Sequence, residues 1–352
     1  MLQSLRLYSR INQLPTSFKM AVIRILFVHN ALTTFVKIDH EILSGIHEVE
    51  EFGFKSKFDF KPFKLWNAVK RNEMVFIWFA SWHSILPVIY ARFQKKPSVL
   101  VAGGYDTANI PEAKYGNQRN WFKRFITNYI LRRATHIICN SQYAKQETVE
   151  VADINPDKIT MIYHGIPDLG IYEFKKTDMA LNVGNVIREN LLRKGITSFL
   201  AAGKLLPSYR FVQAGNWRDD SYKQVRKYLS SNVELKGFQT KEELNELFSQ
   251  SRVYIQPSLH EAFGLSVVEA MQAGCIPIIS RYGALPEIAG KYGIILEGLT
   301  PDAIVKSIGL LEQYKFTPQE IRRYVLTNYN LDLRRKKLEK CISVLFSTAV
   351  AE

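Results

Sequence analysis

Short apolar, β-branched runs alternate with amphipathic stretches along most of this chain. Strand-like runs fall at 22–28, 74–80, 98–102, 136–139 and 159–163. Between them, 85–93, 120–131 and 142–151 repeat apolar residues at helical spacing. The rhythm pauses at Gly165-Ile-Pro-Asp-Leu-Gly170 and on through Lys175–Asp178, which reads as a linker. It then restarts, with strands predicted at 181–183, 210–213, 233–235, 253–256 and 276–279 and helices at 196–206, 222–229, 242–249, 265–272 and 302–312. Two more helical patterns, 318–327 and 333–346, have no strand after them. Such alternation predicts right-handed βαβ crossovers and parallel sheets covered by helices on both faces. The expected fold class is therefore α/β, with two Rossmann-like domains at 21–168 and 177–315 and terminal helices over 316–352. Ligands of such sheets sit beyond the carboxyl ends of the strands, so a cleft between the two domains is the expected site.

Length agrees with two domains: 352 residues, 47% of them hydrophobic, exceed what one compact core usually holds. Cys139, Cys275 and Cys341 are odd in number and far apart, without metal-ligand spacing, and fit buried thiols in a reduced cytoplasmic compartment. The formal net charge of +14 favours anionic partners such as phosphorylated small molecules, anionic lipid or nucleic acid. No apolar run is long enough to span a bilayer. Residues 1–20 carry Arg6, Arg10 and Lys19 and no acid, and lack the apolar stretch of a secretory signal. They read as an N-terminal extension, either a transit-type segment or a stretch upstream of a true start at Met20.

The richest chemistry lies in Val253–Ile279, which reads as strand, turn, helix and strand. Gly264 opens the helix and lets a ligand approach the backbone closely. The amides around Phe263, Gly264, Leu265 and Ser266 lack intrahelical acceptors and, with the helix dipole, suit a phosphate. Glu261 precedes the helix and Glu269 lies about one and a half turns into it. Two carboxylates make a poor phosphate cage, but as acceptors they suit sugar and ribose hydroxyls. The plainer reading is a helix-capping Glu261 and a solvent-facing Glu269.

The run His260-Glu-Ala-Phe-Gly-Leu-Ser-Val-Val-Glu-Ala-Met271 resembles the signature of the retaining GT-B glycosyltransferases of family 4. Lys158–Ile166, Leu181-Asn-Val-Gly184, Arg193-Lys-Gly195, Asn232–Phe238 and Ala284-Leu-Pro-Glu287 resemble further segments of that family, over roughly 158–297. The resemblance implies transfer of a sugar from a nucleotide-sugar donor to a glycan or lipid-linked acceptor. It implies retention at the anomeric carbon, no metal and no cofactor. Lys194 would face the diphosphate, Glu261 the donor sugar and Glu269 the ribose. Many relatives have an arginine where this chain has Asn185; Arg188, or less directly Arg193, would supply that charge. The last helix would return to the first domain, as in other GT-B enzymes.

The first domain is the expected acceptor side. Gly103 and Gly104 end its fourth strand, where many relatives place a histidine, and Asp106 is positioned to orient a hydroxyl as a third catalytic group. Equally, Asp106 fits a turn in which it bonds its own backbone. His83, after the third strand, is a further acceptor-side residue, and His164 reads as linker packing. The helix 120–133 carries Lys123, Arg124, Arg132 and Arg133 beside an apolar stripe. It reads either as packing Trp121, Phe125 and Ile126 onto the sheet or as resting on a membrane. The helix 333–346 sets Arg334–Lys337 against Leu338, Ile342 and Leu345 in the same way. Peripheral association with the inner face of an anionic membrane is the corresponding expectation. Two other readings remain: another GT-B enzyme, such as a sugar-nucleotide epimerase or phosphorylase, and a basic nucleic-acid-binding protein. The latter shows no recognition module in the sequence, and no nucleic-acid partner is expected.

Overall fold

A computed structural model describes residues 22–56, 58–59, 61–171 and 173–351, with side chains described to Thr348; the extension over 1–20 lies outside them. The chain forms two compact units. One comprises residues up to Asn109, Gly116–His164 and Asp332 onward; the other comprises Ile110–Tyr115 and Gly165–Leu331.

The first unit is built on six strands: β1 (Arg24–His29), β2 (Glu48–Gly53), β3 (Met74–Trp78), β4 (Ser98–Ala102), β5 (His136–Cys139) and β6 (Ile159–Met161). All pair in parallel, in the order β2-β1-β3-β4-β5-β6. β3, β4 and β5 are buried along their whole length, as a parallel sheet covered on both faces demands. The edge strand β2 reads Glu-Val-Glu-Glu-Phe-Gly and buries only Phe52; that charge-rich pattern hid it from a search for apolar runs.

The last helix, Leu331–Ala351, completes this unit's core. Leu338, Cys341, Ile342 and Leu345 pack with Ile25, Phe27, Phe76 and Val99. Arg334 does not stay on the polar face where the helical pattern puts it. It is 2% exposed and forks onto Asp39, with Nε–Oδ1 at 2.6 Å and Nη2–Oδ2 at 2.7 Å, while Nη1 donates to the Ile162 and Tyr163 carbonyls.

The second unit repeats the design with β7 (Thr177–Val183), β8 (Arg210–Ala214), β9 (Val233–Gly237), β10 (Ser251–Gln256), β11 (Ile276–Ile279) and β12 (Ile294–Ile295). The order is β12-β11-β10-β7-β8-β9, again all parallel. β7 starts at Thr177, inside the stretch read as linker, because Lys176 anchors the chain there by donating to the Phe248 and Ala273 carbonyls. The three cysteines are buried free thiols.

Candidate functional site

The sheet order of the second unit puts β7 and β10 side by side at its centre, with β8 beyond β7 and β11 beyond β10. The loops leaving β7 and β10 carry the candidate chemistry. After β7 the chain forms a short helix, Arg188–Arg193, and turns at Lys194 and Gly195. After β10 it runs through Ser258 and Glu261 to the helix Leu265–Gln272.

These loops meet at Glu261. Its Oε1 lies 3.1 Å from Lys194 Nζ and 3.6 Å from an Arg193 guanidinium nitrogen, and accepts a hydrogen bond from Ser258 Oγ at 3.3 Å. Oε2 has no partner among the described residues. Burial alone would raise this carboxyl, but Lys194 and Arg193 outweigh it and hold Glu261 below the usual carboxylate range. Lys194 and Arg193 both face this carboxylate, and Arg193 also reaches Glu189 Oε1 at 3.9 Å, in a place with little water to screen them: the Lys194 and Arg193 side chains are 17% and 9% exposed. A line of bonds fixes the carboxylate from behind, from Tyr254 to Gln256 (2.9 Å) and from Gln256 to Ser258 (2.6 Å).

Beside this cluster the helix Leu265–Gln272 begins at Gly264, whose φ of 93° disfavours a side chain and where an added Cβ would lie 2.5 Å from Leu285. Its first turn leaves the Leu265 and Ser266 amides without intrahelical acceptors. Phe263 is buried against Tyr329, so its side chain belongs to the core and only its backbone remains at the helix start. Glu269 is half-buried, with Lys241 as its one opposing charge, and desolvation raises its carboxyl to about 7.

Arg188 stands apart. Its side chain is 71% exposed and 3.9 Å from Asp220, while Arg193, the less direct alternative, is the one that lies beside Glu261. Arg193 also lies under the Tyr115 ring, 4.4 Å from its centroid. Neither Tyr115 nor Ser258 was singled out from the sequence. Tyr115 comes from an excursion some 80 residues upstream, bridged to Ile110, that no local pattern reveals.

In the first unit the expected acceptor-side residues are turned inward. Asp106, 1% exposed, accepts from the Gly103 amide at 2.8 Å and from the Ala80 amide, and burial raises it to about 6. The turn reading therefore describes Asp106, and its carboxylate braces the loop instead of facing a hydroxyl. Gly103 lies against the Phe79 ring, where an added Cβ would come within 2.1 Å, and Gly104 takes φ 97° in the same turn. His83 is buried, with Nε2 2.8 Å from the Trp78 carbonyl and its proton affinity lowered to about 4 by desolvation. It is a neutral packed histidine. His164 is likewise internal, stacked on Phe35 and 3.0 Å from Asn140.

Residues 172–325 match the family described as Glycosyl transferases group 1, and residues 46–168 match Glycosyltransferase Family 4. The chain belongs to the group 1, family 4 type of glycosyltransferases. It is similar to the O-antigen chain mannosyltransferase B of Escherichia coli, 28% identical over 179 residues that make up 48% of this chain and 42% of that protein. The gpi3 subunit of phosphatidylinositol N-acetylglucosaminyltransferase from Schizosaccharomyces pombe is 29% identical over 46% of this chain and 38% of its own length. This glycosyltransferase thus matches less than half the length of those curated relatives. Among solved structures, the sucrose-phosphate synthase of Thermosynechococcus elongatus superposes with a TM-score of 0.72 at 15% identity, covering 93% of this chain and 100% of that one. HepE of Anabaena, solved in complex with UDP, gives 0.72 at 15% identity over 92% and 100%. Both share the fold of two parallel-sheet domains, the GT-B architecture. Among the described residues, no helix of this glycosyltransferase is long and apolar enough to cross a membrane.

Proposed function

We propose that this glycosyltransferase moves a sugar from a nucleoside-diphosphate donor to a glycan or lipid-linked acceptor, with retention and without a metal ion. The observation that carries the reading is the cation pair, Lys194 and Arg193, held on Glu261 beside the open first turn of Leu265–Gln272. The diphosphate lies on those cations and on the Leu265 and Ser266 amides. Glu261 takes a donor-sugar hydroxyl on Oε2, while Oε1 stays with Lys194. Glu269 accepts the ribose hydroxyls. In the transfer, the bond from the anomeric carbon to the phosphate oxygen breaks and the acceptor oxygen bonds to the same face. The acceptor proton passes to the leaving diphosphate, a route that suits a chain whose acceptor-side acid, Asp106, is engaged by backbone amides. The acceptor belongs to the first unit and is presented at an anionic membrane surface.

Cations of the protein itself balance the leaving group in this reading, so turnover with a nucleotide-sugar should survive EDTA. Complete loss in EDTA with recovery in manganese would overturn it. The donor itself is found by screening nucleotide-sugars for thermal stabilisation and slow donor hydrolysis. A salt-sensitive shift with DNA or RNA, and none with any nucleotide, would favour the nucleic-acid reading instead.

Glu269 gives a two-sided expectation. Its ribose contacts change little as the sugar departs, so Glu269→Gln should raise donor KM several-fold with kcat nearly kept. Because its folded-state carboxyl is raised to about 7, the folded protein holds a proton that the unfolded chain releases near the ordinary 4.5. Wild-type stability should therefore fall as pH rises from about 4.5 through 7, and the glutamine variant should lack that component. Thermal unfolding of both proteins at pH 5 and pH 8 reads the difference. A glutamine variant that is no more stable than wild type at pH 8 would show that the carboxyl is not desolvated.

A further inference from the structure

At the amino-terminal edge of the first sheet, opposite the strand ends that bind ligands in such folds, lies a hollow of about 510 Å³. Pro97 and Ser98 at the start of β4, Ala134 and Thr135 before β5, and Lys158 before β6 form its floor. Six cationic side chains line it, Arg92, Lys95, Lys96, Arg132, Arg133 and Lys158, and no carboxylate does. None of the six makes an ion pair among the described residues, whereas Arg24 and Arg71 of the same unit have found Glu73 and Glu50.

Local structure accounts for only part of this charge. The helices Ile85–Phe93 and Trp121–Arg133 both end here, and each helix carboxyl end carries roughly half a negative charge. Lys158 Nζ donates to the Leu131 and Arg132 carbonyls, and Arg132 Nε to that of Ala152. Two half-charges cannot balance six cations. Burial first, and then the neighbouring Arg92 and Arg133, push the Lys158 ammonium down to about 8.

A second hollow, of about 450 Å³, shares Arg132 and Arg133 with the first and is lined by Trp121, Phe125 and Tyr129. Trp121 and Phe125 do not pack onto the sheet as the helical pattern allowed. They are 79% and 68% exposed, and the helix buries Thr127, Asn128, Ile130 and Leu131 instead. Phe93, beside Arg92, is 75% exposed. Large aromatic rings standing in solvent beside unpaired cations match a bilayer interface, where rings enter the headgroup layer and cations meet phosphate.

We propose that this basic hollow and its aromatic rim bind the phosphate headgroups of an anionic lipid surface, a site separate from the one around Glu261. It goes beyond the reading above: the surface lies at the sheet edge opposite the ligand-binding strand ends, so it would tether the protein without holding the acceptor.

The test uses the whole protein and vesicles of phosphatidylcholine with or without phosphatidylglycerol at physiological salt. The triple variant Lys95→Gln, Lys96→Gln, Arg133→Gln leaves the backbone-bonded Lys158 and Arg132 in place and relieves repulsion, so its unfolding temperature should not fall. A control variant, Lys223→Gln, Lys315→Gln, Arg323→Gln, removes the same charge from the second unit. Wild type should bind the anionic vesicles. The hollow variant should lose on the order of a hundredfold in affinity, at roughly fivefold per cation, while the control stays close to wild type. Equal losses in both variants would overturn the assigned site and leave membrane association standing. No binding of wild type to anionic vesicles at low salt would overturn both, as would saturable binding of inorganic phosphate or an oligonucleotide at this hollow by a protein that ignores vesicles.

Discussion

Replacing Lys194 with alanine is expected to lower kcat on the order of 100- to 1000-fold at saturating donor. Negative charge grows on the diphosphate as the glycosidic bond breaks, and a fixed ammonium near that charge stabilises the transition state more than the ground state. Lys194 is well placed for this: its side chain is 17% exposed, and Glu261 Oε1 holds its Nζ at 3.1 Å. Arg193 sits 3.6 Å from the same oxygen but is also committed to Asn190 and the His260 carbonyl, so it cannot swing across to replace the lost charge. Lys194→Arg should recover part of the loss, since charge returns with altered geometry. Near-normal turnover by a folded Lys194→Ala protein, with donor binding unchanged, would place the diphosphate elsewhere. Glu261→Ala should lower kcat less, because on the proposed reading it would remove a sugar contact while freeing both cations at once.

The largest effect on stability should come from the other unit. Arg334→Met leaves Asp39 as a lone carboxylate at 0% exposure, and breaking a buried pair in this way costs about 3–5 kcal/mol. It also strips the donor from the Ile162 and Tyr163 carbonyls. An unfolding midpoint lower by roughly 10 °C follows for a unit of this size. The double variant Arg334→Met, Asp39→Leu should regain much of that loss, since no unpaired charge stays inside. A single variant that melts with wild type would show that Asp39 finds another partner or takes up a proton at little cost.

Most of the fold could be read from periodicity, because the central strands are buried over most or all of their length and so read as apolar runs. The helices 85–93 and 265–272 were placed to the residue. The elements that escaped break that pattern: β2 spends its length on glutamates, β12 is two residues long, and Arg188–Arg193 is too short to show a face. The structure brings Glu261 and Lys194 together beside the helix that starts at Leu265, positions that compact motifs mark in the sequence. That Arg193 and not Arg188 lies beside Glu261 could not be read there, since it depends on which way a short helix rolls. The roles first given to Asp106 and His83 failed to foresee burial: strand-end position alone does not tell whether a polar side chain faces a ligand or the Gly103 amide and Trp78 carbonyl beneath it.

The closure of the first sheet's core by Leu338, Cys341, Ile342 and Leu345 has a consequence for how the chain is made. A ribosome delivers β1 through β6 by residue 161, yet these last core residues emerge some 180 residues later. At roughly 5–20 residues per second, that delay is on the order of ten to thirty seconds. Meanwhile nearly all of the second unit, Gly165–Leu331, has been synthesised and is free to fold. The half made first is therefore the half finished last, waiting with Ile25, Phe27 and Phe76 uncovered, and that nascent interval is where chaperone demand and misassembly should concentrate.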